Sequence, residues 1–241
     1  MKEKIIGILV VVAALAIGIG GAYALSRRMP TATVADRLQK LQDNQVLPDR
    51  KVQSPRGGMM GPGFRGQMPG YRYNDDVQAN SVRLTIDEAQ AKAEEYALSV
   101  GTNLHAAEVM EFSNNFYAVV VETDSKKAAF ELLIDPYSGQ VSPEMGANMM
   151  WNQKYGRMGT VTNPVATNTL TMAEAVAKAQ AVLDAGNTGA VVQPDGKDFY
   201  GYYSFDYEVN GTVAGMLSVN GNTGQVILHF WHSTFISEKE F

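Results

Sequence analysis

The side chains that could bind a metal ion or act as nucleophiles are few in this sequence. The 241 residues contain no cysteine, which excludes a disulfide scaffold, a thiolate zinc site, an iron–sulfur centre and a cysteine nucleophile. The three histidines, His105, His229 and His232, leave almost no scope for multi-histidine metal chemistry. His229 and His232 flank Phe230 and Trp231, and a spacing of three on a strand points the two rings to opposite faces. A shared metal ion would therefore require a bend in the chain.

Methionine is unusually frequent, with 12 residues in the chain. One group lies within residues 145–158 and includes Met145, Met149 and Met150, close to Trp151. Thioether sulfurs bind soft ions, so these three side chains form a candidate site for Cu(I) or Ag(I). Packing at a domain junction explains the same residues without a metal. We prefer the packing interpretation and expect no cofactor.

An aromatic run over residues 198–209 offers a candidate surface for binding another protein. On one continuous strand, four rings would share a buried face: Phe199, Tyr203, Phe205 and Tyr207. Tyr200 and Tyr202 would then face outward. Together with Trp231 they could form a partner-binding patch, because aromatic side chains give a large contact area at low entropic cost. Packing between domains is an equal alternative for these three residues.

The sequence carries no motif that would support catalysis. It lacks a serine-hydrolase elbow, a P-loop, a zinc-protease helix and a calcium loop. Its net charge of −5 is the sum of +7 over residues 1–73 and −12 over residues 74–241. An acidic folded region does not suit the phosphates of nucleic acid. The sequence therefore predicts a protein that is not an enzyme and does not bind nucleic acid.

The amino-terminal segment has the composition of a membrane anchor. After a short tail at residues 1–4, residues 5–25 contain no charged side chain. As a helix they would be about 31 Å long, close to the hydrocarbon thickness of a bilayer. Ala22 and Ala24 fit a cleavage site, so a signal peptide is the alternative. We expect an uncleaved single-pass anchor in membrane lipid, with the bulk of the chain extracytoplasmic, because a very short tail before an apolar run normally acts as an export signal.

A stalk and linker are predicted over residues 26–80. Within them, residues 31–47 have the apolar spacing of a short amphipathic helix, which could extend the anchor or pair with a partner. Residues 53–73 are rich in Gly, Pro, Met and Arg, a composition that favours a flexible tether. The folded part is therefore expected to follow residue 80.

The rest of the chain repeats itself. The pattern Leu-Thr-x-x-Glu-Ala begins at Leu84 and again at Leu170, an offset of 86. The run Gly-Gln-Val begins at Gly139 and again at Gly224, an offset of 85. Two sequence patterns that recur at nearly the same offset indicate an internal duplication. We expect three segments: a first domain at 81–144, a linker at 145–167 and a second domain at 168–241.

Each repeat is predicted to begin with a helix and to continue with strands. Thr85 with Glu88, and Thr171 with Glu174, have the spacing of a capping box. Small alanines on one helix face allow a sheet to pack close, and the following segments alternate apolar residues as strands do. The sequence therefore predicts an α+β fold in which one helix packs on an antiparallel sheet, twice.

A short turn closes each repeat. Its residues in the two copies are Asp135, Ser138 and Gly139, and then Asn220, Thr223 and Gly224. The first side chain caps the turn, and the glycine supplies a φ angle that other residues avoid. We therefore expect a structural role for this motif.

In their order and spacing, these residues resemble the PepSY domain (peptidase propeptide and YpeB-like domain). The matching residues are Leu84, Thr85, Glu88, Ala89, Tyr117, Asp135, Ser138, Gly139 and Val141, and then Leu170, Thr171, Glu174, Ala175, Thr223, Gly224 and Val226. The second copy departs at Asn220, where the family usually has Asp. The resemblance covers roughly residues 82–143 and 168–232. It implies a tandem, non-catalytic, extracytoplasmic module whose expected partner is a peptidase or another envelope protein, restrained or chaperoned by the module.

Overall fold

The computed structural model describes residues 32–45, 82–156 and 167–241. The predicted anchor at residues 5–25 and most of the predicted stalk lie outside the described residues. Within them, no helix combines the length and the apolar character that crossing a membrane requires. We call residues 82–156 the first half and residues 167–241 the second half.

Helices and strands are both present, which confirms the predicted α+β class. The helices of the described residues are α1 (Val34–Gln45), α2 (Ile86–Val100), α3 (Ala147–Trp151) and α4 (Met172–Ala185). The strands are β1 (Leu104–Phe112), β2 (Phe116–Glu122), β3 (Ala128–Ile134), β4 (Val141–Pro143), β5 (Val191–Val192), β6 (Lys197–Phe199), β7 (Tyr202–Val209), β8 (Thr212–Asn220), β9 (Val226–His229) and β10 (Phe235–Glu240).

The strands of both halves join in one sheet, whereas the sequence analysis predicts a separate sheet for each repeat. The order across the described sheet is β10-β1-β2-β3-β6-β7-β8-β9, with β4 beside β3 and β5 beside β7. The two halves join at two places in the sheet. The first-half strand β3 runs parallel to β6 and meets it at Ala128 and Phe199. The first-half strand β1 pairs antiparallel with β10 over a longer register, from Glu108 with Glu240 to Phe112 with Phe235. The other strand pairs are also antiparallel.

Both predicted capping boxes are confirmed. The Thr85 hydroxyl accepts from the Glu88 N–H, and the Glu88 carboxylate accepts from the Thr85 N–H at 2.8 Å. Thr171 and Glu174 repeat this arrangement at the start of α4, also with a 2.8 Å return bond. Each box provides acceptors for two backbone N–H groups that would otherwise be unpaired at the start of the helix.

Three apolar cores form on the two faces of the sheet. Alanines of α2 pack on the first half, and Ala175, Ala179 and Leu183 of α4 pack on the second half. A third cluster, which we call the central core, takes side chains from strands of both halves, including Tyr117 of β2 and Met216 of β8. Because neighbouring residues on a strand alternate in direction, the central core lies on the face opposite to the two long helices.

The helix predicted within residues 31–47 is present as α1, and it packs on the second half. Leu38 is 8% exposed within the second-half core, and Leu41 packs against that core. The Arg37 guanidinium donates to the carbonyl of Asn187 at 2.8 Å. Residues from the predicted stalk therefore belong to the folded unit.

The closing turns of the two halves have the same hydrogen bonds. Asp135 Oδ1 accepts from two backbone N–H groups at 3.0 and 2.8 Å, and Asn220 Oδ1 does so at 3.0 and 2.9 Å. Gly139 and Gly224 have φ angles of 68° and 72°. Asn220 replaces the usual Asp of the motif without loss of a hydrogen bond, because an amide oxygen accepts as a carboxylate oxygen does.

We expect Thr85→Ala and Thr171→Ala each to lower the free energy of unfolding by about 1 kcal/mol, because each removes the oxygen that caps its helix. Urea denaturation followed by circular dichroism measures the effect. Thr→Ser at the same positions keeps the hydroxyl and serves as the control. If the alanine and serine variants lost equal stability, the capping hydroxyl would not be the cause of the loss.

Candidate functional site

A group of titratable side chains is buried where the two halves meet. Glu144 follows β4 of the first half, His229 ends β9 and His232 lies three residues later. Their exposed fractions are 0%, 3% and 1%. Glu144 Oε1 lies 3.4 Å from His229 Nδ1 and 3.0 Å from His232 Nε2. We call these three residues the seam cluster.

A turn brings the two histidines together. β9 ends at His229, Phe230 and Trp231 form a turn, and Ser233 has a φ of 68°. The rings of His229 and His232 are consequently 5.6 Å apart, centre to centre. This turn is the bend that the spacing of the two histidines requires if their rings are to share a ligand.

The ring nitrogens that face away from Glu144 have their own partners. His232 Nδ1 lies 2.9 Å from Asn115 Oδ1. The Asn115 amide also donates to the carbonyl of residue 231 at 3.0 Å, so its oxygen is the atom that meets the ring. His229 Nε2 lies 2.8 Å from Ser218 Oγ. Both rings are therefore fixed in orientation by contacts outside the cluster.

Aromatic side chains enclose the seam cluster. Trp231 stacks on His229 with ring centres 4.8 Å apart, and Phe112 stacks on His232 at 4.5 Å. The Trp231 indole N–H donates to Glu144 Oε1 at 2.9 Å. The sequence gives no sign of Glu144 as a site residue, because it lies 85 positions before His229 and meets it only through the packing of the two halves.

Three polar atoms of the cluster have no hydrogen bond to any described residue. They are Glu144 Oε2, His229 Nδ1 and His232 Nε2. Buried polar atoms are nearly always hydrogen-bonded. Of the seven buried side-chain atoms without a partner in the described residues, three lie in this one cluster. Chemically, two imidazole nitrogens and a carboxylate oxygen turned toward one another can share a proton or a metal ion.

A second carboxyl group is buried on the same side of the sheet. Glu131 of β3 is 0% exposed, and its two oxygens accept from the hydroxyl groups of Tyr117 and Tyr202, each at 2.8 Å. The Asn148 amide of α3 donates to the Glu131 carbonyl at 3.0 Å. One of the tyrosines comes from each half, so Glu131 draws its donors from both sides of the seam.

The buried groups shift one another's pKa values. Burial raises the pKa of Glu131, and the charge of Glu144 raises it further. Burial also raises the pKa of Glu144, but His229 and His232 outweigh it and the net shift is downward. Burial lowers the pKa of His232 against the influence of Glu144. The two effects oppose each other. The low pKa of Glu144 depends on positive charge on the neighbouring imidazoles, whereas burial disfavours positive charge on the His232 ring.

Tyr202 does not face outward, so the predicted orientation is wrong. β6 ends at Phe199, Tyr200 and Gly201 form a turn with a Gly201 φ of 108°, and β7 begins at Tyr202. The turn breaks the strand alternation that the sequence analysis assumed. Tyr202 is therefore fully buried and stacked on Phe199 with ring centres 4.5 Å apart. In this position it cannot contact a partner protein.

Tyr200 and Trp231 are half-buried, and both make internal contacts. The Tyr200 hydroxyl donates to Glu122 Oε1 at 2.8 Å, and Lys154 and Tyr155 donate to the same oxygen. Trp231 packs against the central core and donates to the seam cluster. With Tyr202 inside the protein, the three residues do not form the single exposed patch that the sequence analysis proposes.

The three methionines of the candidate Cu(I) site differ in exposure. Met145 packs against the central core, Met149 is half-buried, and Met150 is 53% exposed. Met149 and Met150 are neighbours on α3, and consecutive positions on a helix point about 100° apart. The two thioethers therefore leave the helix in different directions.

A second charged group lines a cavity of about 60 Å³ between the halves. It contains Glu108 of β1, Lys197 of β6, Asp206 of β7 and Glu238 of β10. Lys197 pairs with Glu108. Burial, followed by repulsion from Glu108 and Glu238, raises the pKa of Asp206 to about 7. No sequence signal could have found this group, because its members lie on four different strands.

Comparisons with known proteins returned little. No family model matches the chain, and no curated protein matches it. A solved structure, the Bacillus megaterium YpeB C-terminal domain, aligns with 11% identity over 61% of this chain and 62% of that domain, less than two thirds of its length. The TM-score of 0.22 is too low to define a shared fold.

We expect Tyr202→Phe to lower the free energy of unfolding by about 1–3 kcal/mol, because it leaves an oxygen of buried Glu131 without its donor. Tyr200→Phe is the matched control, since Tyr200 is only half-buried and the oxygen of Glu122 that it contacts keeps two other donors. Urea denaturation measures both. A loss for Tyr200→Phe as large as that for Tyr202→Phe would contradict the assignment.

Asp206→Asn should stabilise the protein at high pH. In the unfolded chain Asp206 ionises near its ordinary pKa of 3.8, whereas in the fold it stays protonated up to about pH 7. Asp206 therefore reduces stability progressively as pH rises from about 4 to 7, by up to about 4 kcal/mol. The variant should be more stable than the parent at pH 8 and equal to it at pH 4. Parallel stability curves across this range would refute the raised pKa.

Proposed function

We propose that the chain is a non-catalytic, membrane-anchored, extracytoplasmic module of two PepSY-like units, which binds and regulates a peptidase or another envelope protein. The observation that supports it most is the matching helix–turn contact of the two halves. The Leu84 N–H donates to the carbonyl of Pro136, and the Leu170 N–H donates to the carbonyl of Gly221, both at 2.8 Å. The partners shift by the same offsets as the sequence repeat, 86 and 85 residues.

Duplication explains why both halves close in the same way. Beyond the contact above, Gly139 N–H donates to the carbonyl of Asp135 at 3.0 Å, and Gly224 N–H donates to that of Asn220 at 2.9 Å. Each glycine also lies against a lysine of the helix, Lys92 or Lys178. Such agreement in hydrogen bonds, φ angles and side-chain neighbours supports descent from one ancestral unit.

A binding role without catalysis is supported by the inaccessibility of the acid–base groups. Glu131, Glu144, His229 and His232 are each at most 3% exposed, so a substrate could not reach them. The cavity beside Asp206 has about 60 Å³, room for water and not for a polymeric substrate. Glu131 and Glu144 instead accept hydrogen bonds from Tyr202 and Trp231 of the other half, so recognition of a partner would fall to the outer surfaces.

The proposal is tested in native membranes of the producing organism. The full chain is compared with a control in which residues 1–80 carry an unrelated fluorescent domain, so that the anchor and stalk are matched. We expect both proteins to stay with the membrane after an alkaline wash and to be digested by protease added outside the cells. Short-range cross-linking should then join the full chain, and not the control, to a defined envelope protein.

Two results would contradict this function. Recovery of the full chain in the cytosol, or its protection from external protease, would exclude the proposed location. Cross-links that are identical for the full chain and the control would show that residues 81–241 recruit no partner.

A further inference from the structure

The seam cluster has the donor set of a metal site, with two imidazole nitrogens and a carboxylate turned toward one another. We propose that Glu144, His229 and His232 bind one divalent transition-metal ion, with Zn²⁺ as the expected ion. The three residues each offer one ligand atom, and these atoms lie within 4.8 Å of one another. The proposal depends neither on a membrane location nor on a protein partner.

The spacing of the ligand atoms suits a tetrahedral ion. Bonds of about 2.0–2.1 Å at tetrahedral angles place neighbouring ligand atoms about 3.3 Å apart. The distances from Glu144 Oε1 to His232 Nε2 and His229 Nδ1 are 3.0 and 3.4 Å. Glu144 Oε2 is also without a hydrogen bond, so the carboxylate can supply a second oxygen. All three ligand atoms lie within 4.8 Å of one another, and closure to about 3.3 Å would complete the site.

The hydrogen bonds around the cluster turn lone pairs inward. The Asn115 amide donates to the carbonyl of Trp231, so its oxygen faces His232 Nδ1 at 2.9 Å and requires the proton on that nitrogen. The neutral ring then directs the lone pair of Nε2 at the Glu144 carboxylate. Two lone pairs 3.0 Å apart repel each other unless a cation lies between them.

Outer contacts of this kind are typical of metal ligands. Histidine ligands usually bond through their second nitrogen to a fixed partner, and carboxylate ligands accept a further hydrogen bond. Here Asn115 and Ser218 hold the two rings, and the Trp231 indole donates to Glu144 at 2.9 Å. All three ligands thus have the supporting contact that orients them.

The donor types select the class of ion. Two imidazole nitrogens and a carboxylate suit Zn²⁺ and its transition-metal neighbours, whereas Ca²⁺ and Mg²⁺ prefer oxygen ligands throughout. The thioethers of Met145, Met149 and Met150 would instead select Cu(I). A fully buried site with no path for substrate is typical of a structural metal ion.

The site would fasten the two halves to each other. Glu144 belongs to the first half and both histidines to the second, and the second-half strand β9 ends at the first of them. An ion bound here closes a loop of 85 residues between Glu144 and His229. Its loss should therefore loosen the seam more than either helix-covered core.

The test uses the full chain in mild detergent, stripped of metal with a chelator and then titrated with Zn²⁺ alone. We expect one equivalent to bind with sub-micromolar affinity and to raise the thermal midpoint of unfolding. Co²⁺ alone should give the visible absorption of a tetrahedral site with nitrogen and oxygen ligands. If the folded protein admits ions slowly, refolding from urea with and without Zn²⁺ gives the same comparison.

Substitutions test which residues bind the ion. Glu144→Gln, His229→Gln and His232→Gln should each weaken Zn²⁺ binding at least 100-fold, and Ser218→Ala, which leaves all ligands in place, by about 10–100-fold. His105→Gln is the matched control, because His105 is partly exposed and lies outside the cluster. Met→Ser changes at 145, 149 and 150 should also leave Zn²⁺ binding unchanged.

The stoichiometry and Co²⁺ spectrum of the parent chain keep the test decisive if a ligand variant does not fold. Less than one fifth of an equivalent of Zn²⁺ bound to the parent, or a Co²⁺ spectrum of an octahedral aquo ion, overturns the proposal and leaves a proton as the shared cation. Binding that persists in folded ligand variants, or disappears with His105 or the methionines, overturns it as well.

Discussion

Two carboxyl groups, those of Glu131 and Glu144, are buried without any exposure, and the seam between the halves is built to satisfy them. A buried carboxylate without donors costs several kcal/mol, so the fold is stable only if its partners are in place. Those partners come from both halves: Tyr117 from the first, and Tyr202 and Trp231 from the second. Separation of the halves would remove the donors that Tyr202 and Trp231 supply. Polar contacts therefore join residues 82–156 to 167–241, in addition to the central core and the pairing of β1 with β10.

Local features of the fold could be predicted from the sequence, because their partners are three or four residues apart. The capping box that joins Thr85 to Glu88 is of this kind, and so is the turn of Asp135, whose oxygen meets N–H groups two and three residues on. In such cases the residue types alone define the geometry. The α+β class followed from these elements, since capped helices with small apolar faces require a sheet to cover them.

Long-range features could not be predicted in the same way. The parallel pairing of β3 with β6 consists of a single residue pair, Ala128 with Phe199, and no local sequence pattern predicts it. The alternation of the aromatic run predicts one strand, but Gly201 interrupts it, and a glycine inside a strand pattern is a known sign of a turn or bulge. That one residue decided the position of Tyr202. The seam cluster was missed for a related reason, since its carboxylate is distant in sequence and its histidines meet only through a turn.

The two halves share their scaffold and differ in what is attached to it. The first half contributes both buried carboxyl groups and the short helix α3, while the second contributes the histidines and Trp231 and is covered by α1. The seam therefore joins unlike sides. The first half brings buried carboxyl groups, which accept hydrogen bonds, and the second half brings the Tyr202 hydroxyl and the Trp231 indole N–H that donate to them. A buried acceptor on one half is satisfied only when the donor on the other half is in place, so the difference between the halves is what joins them.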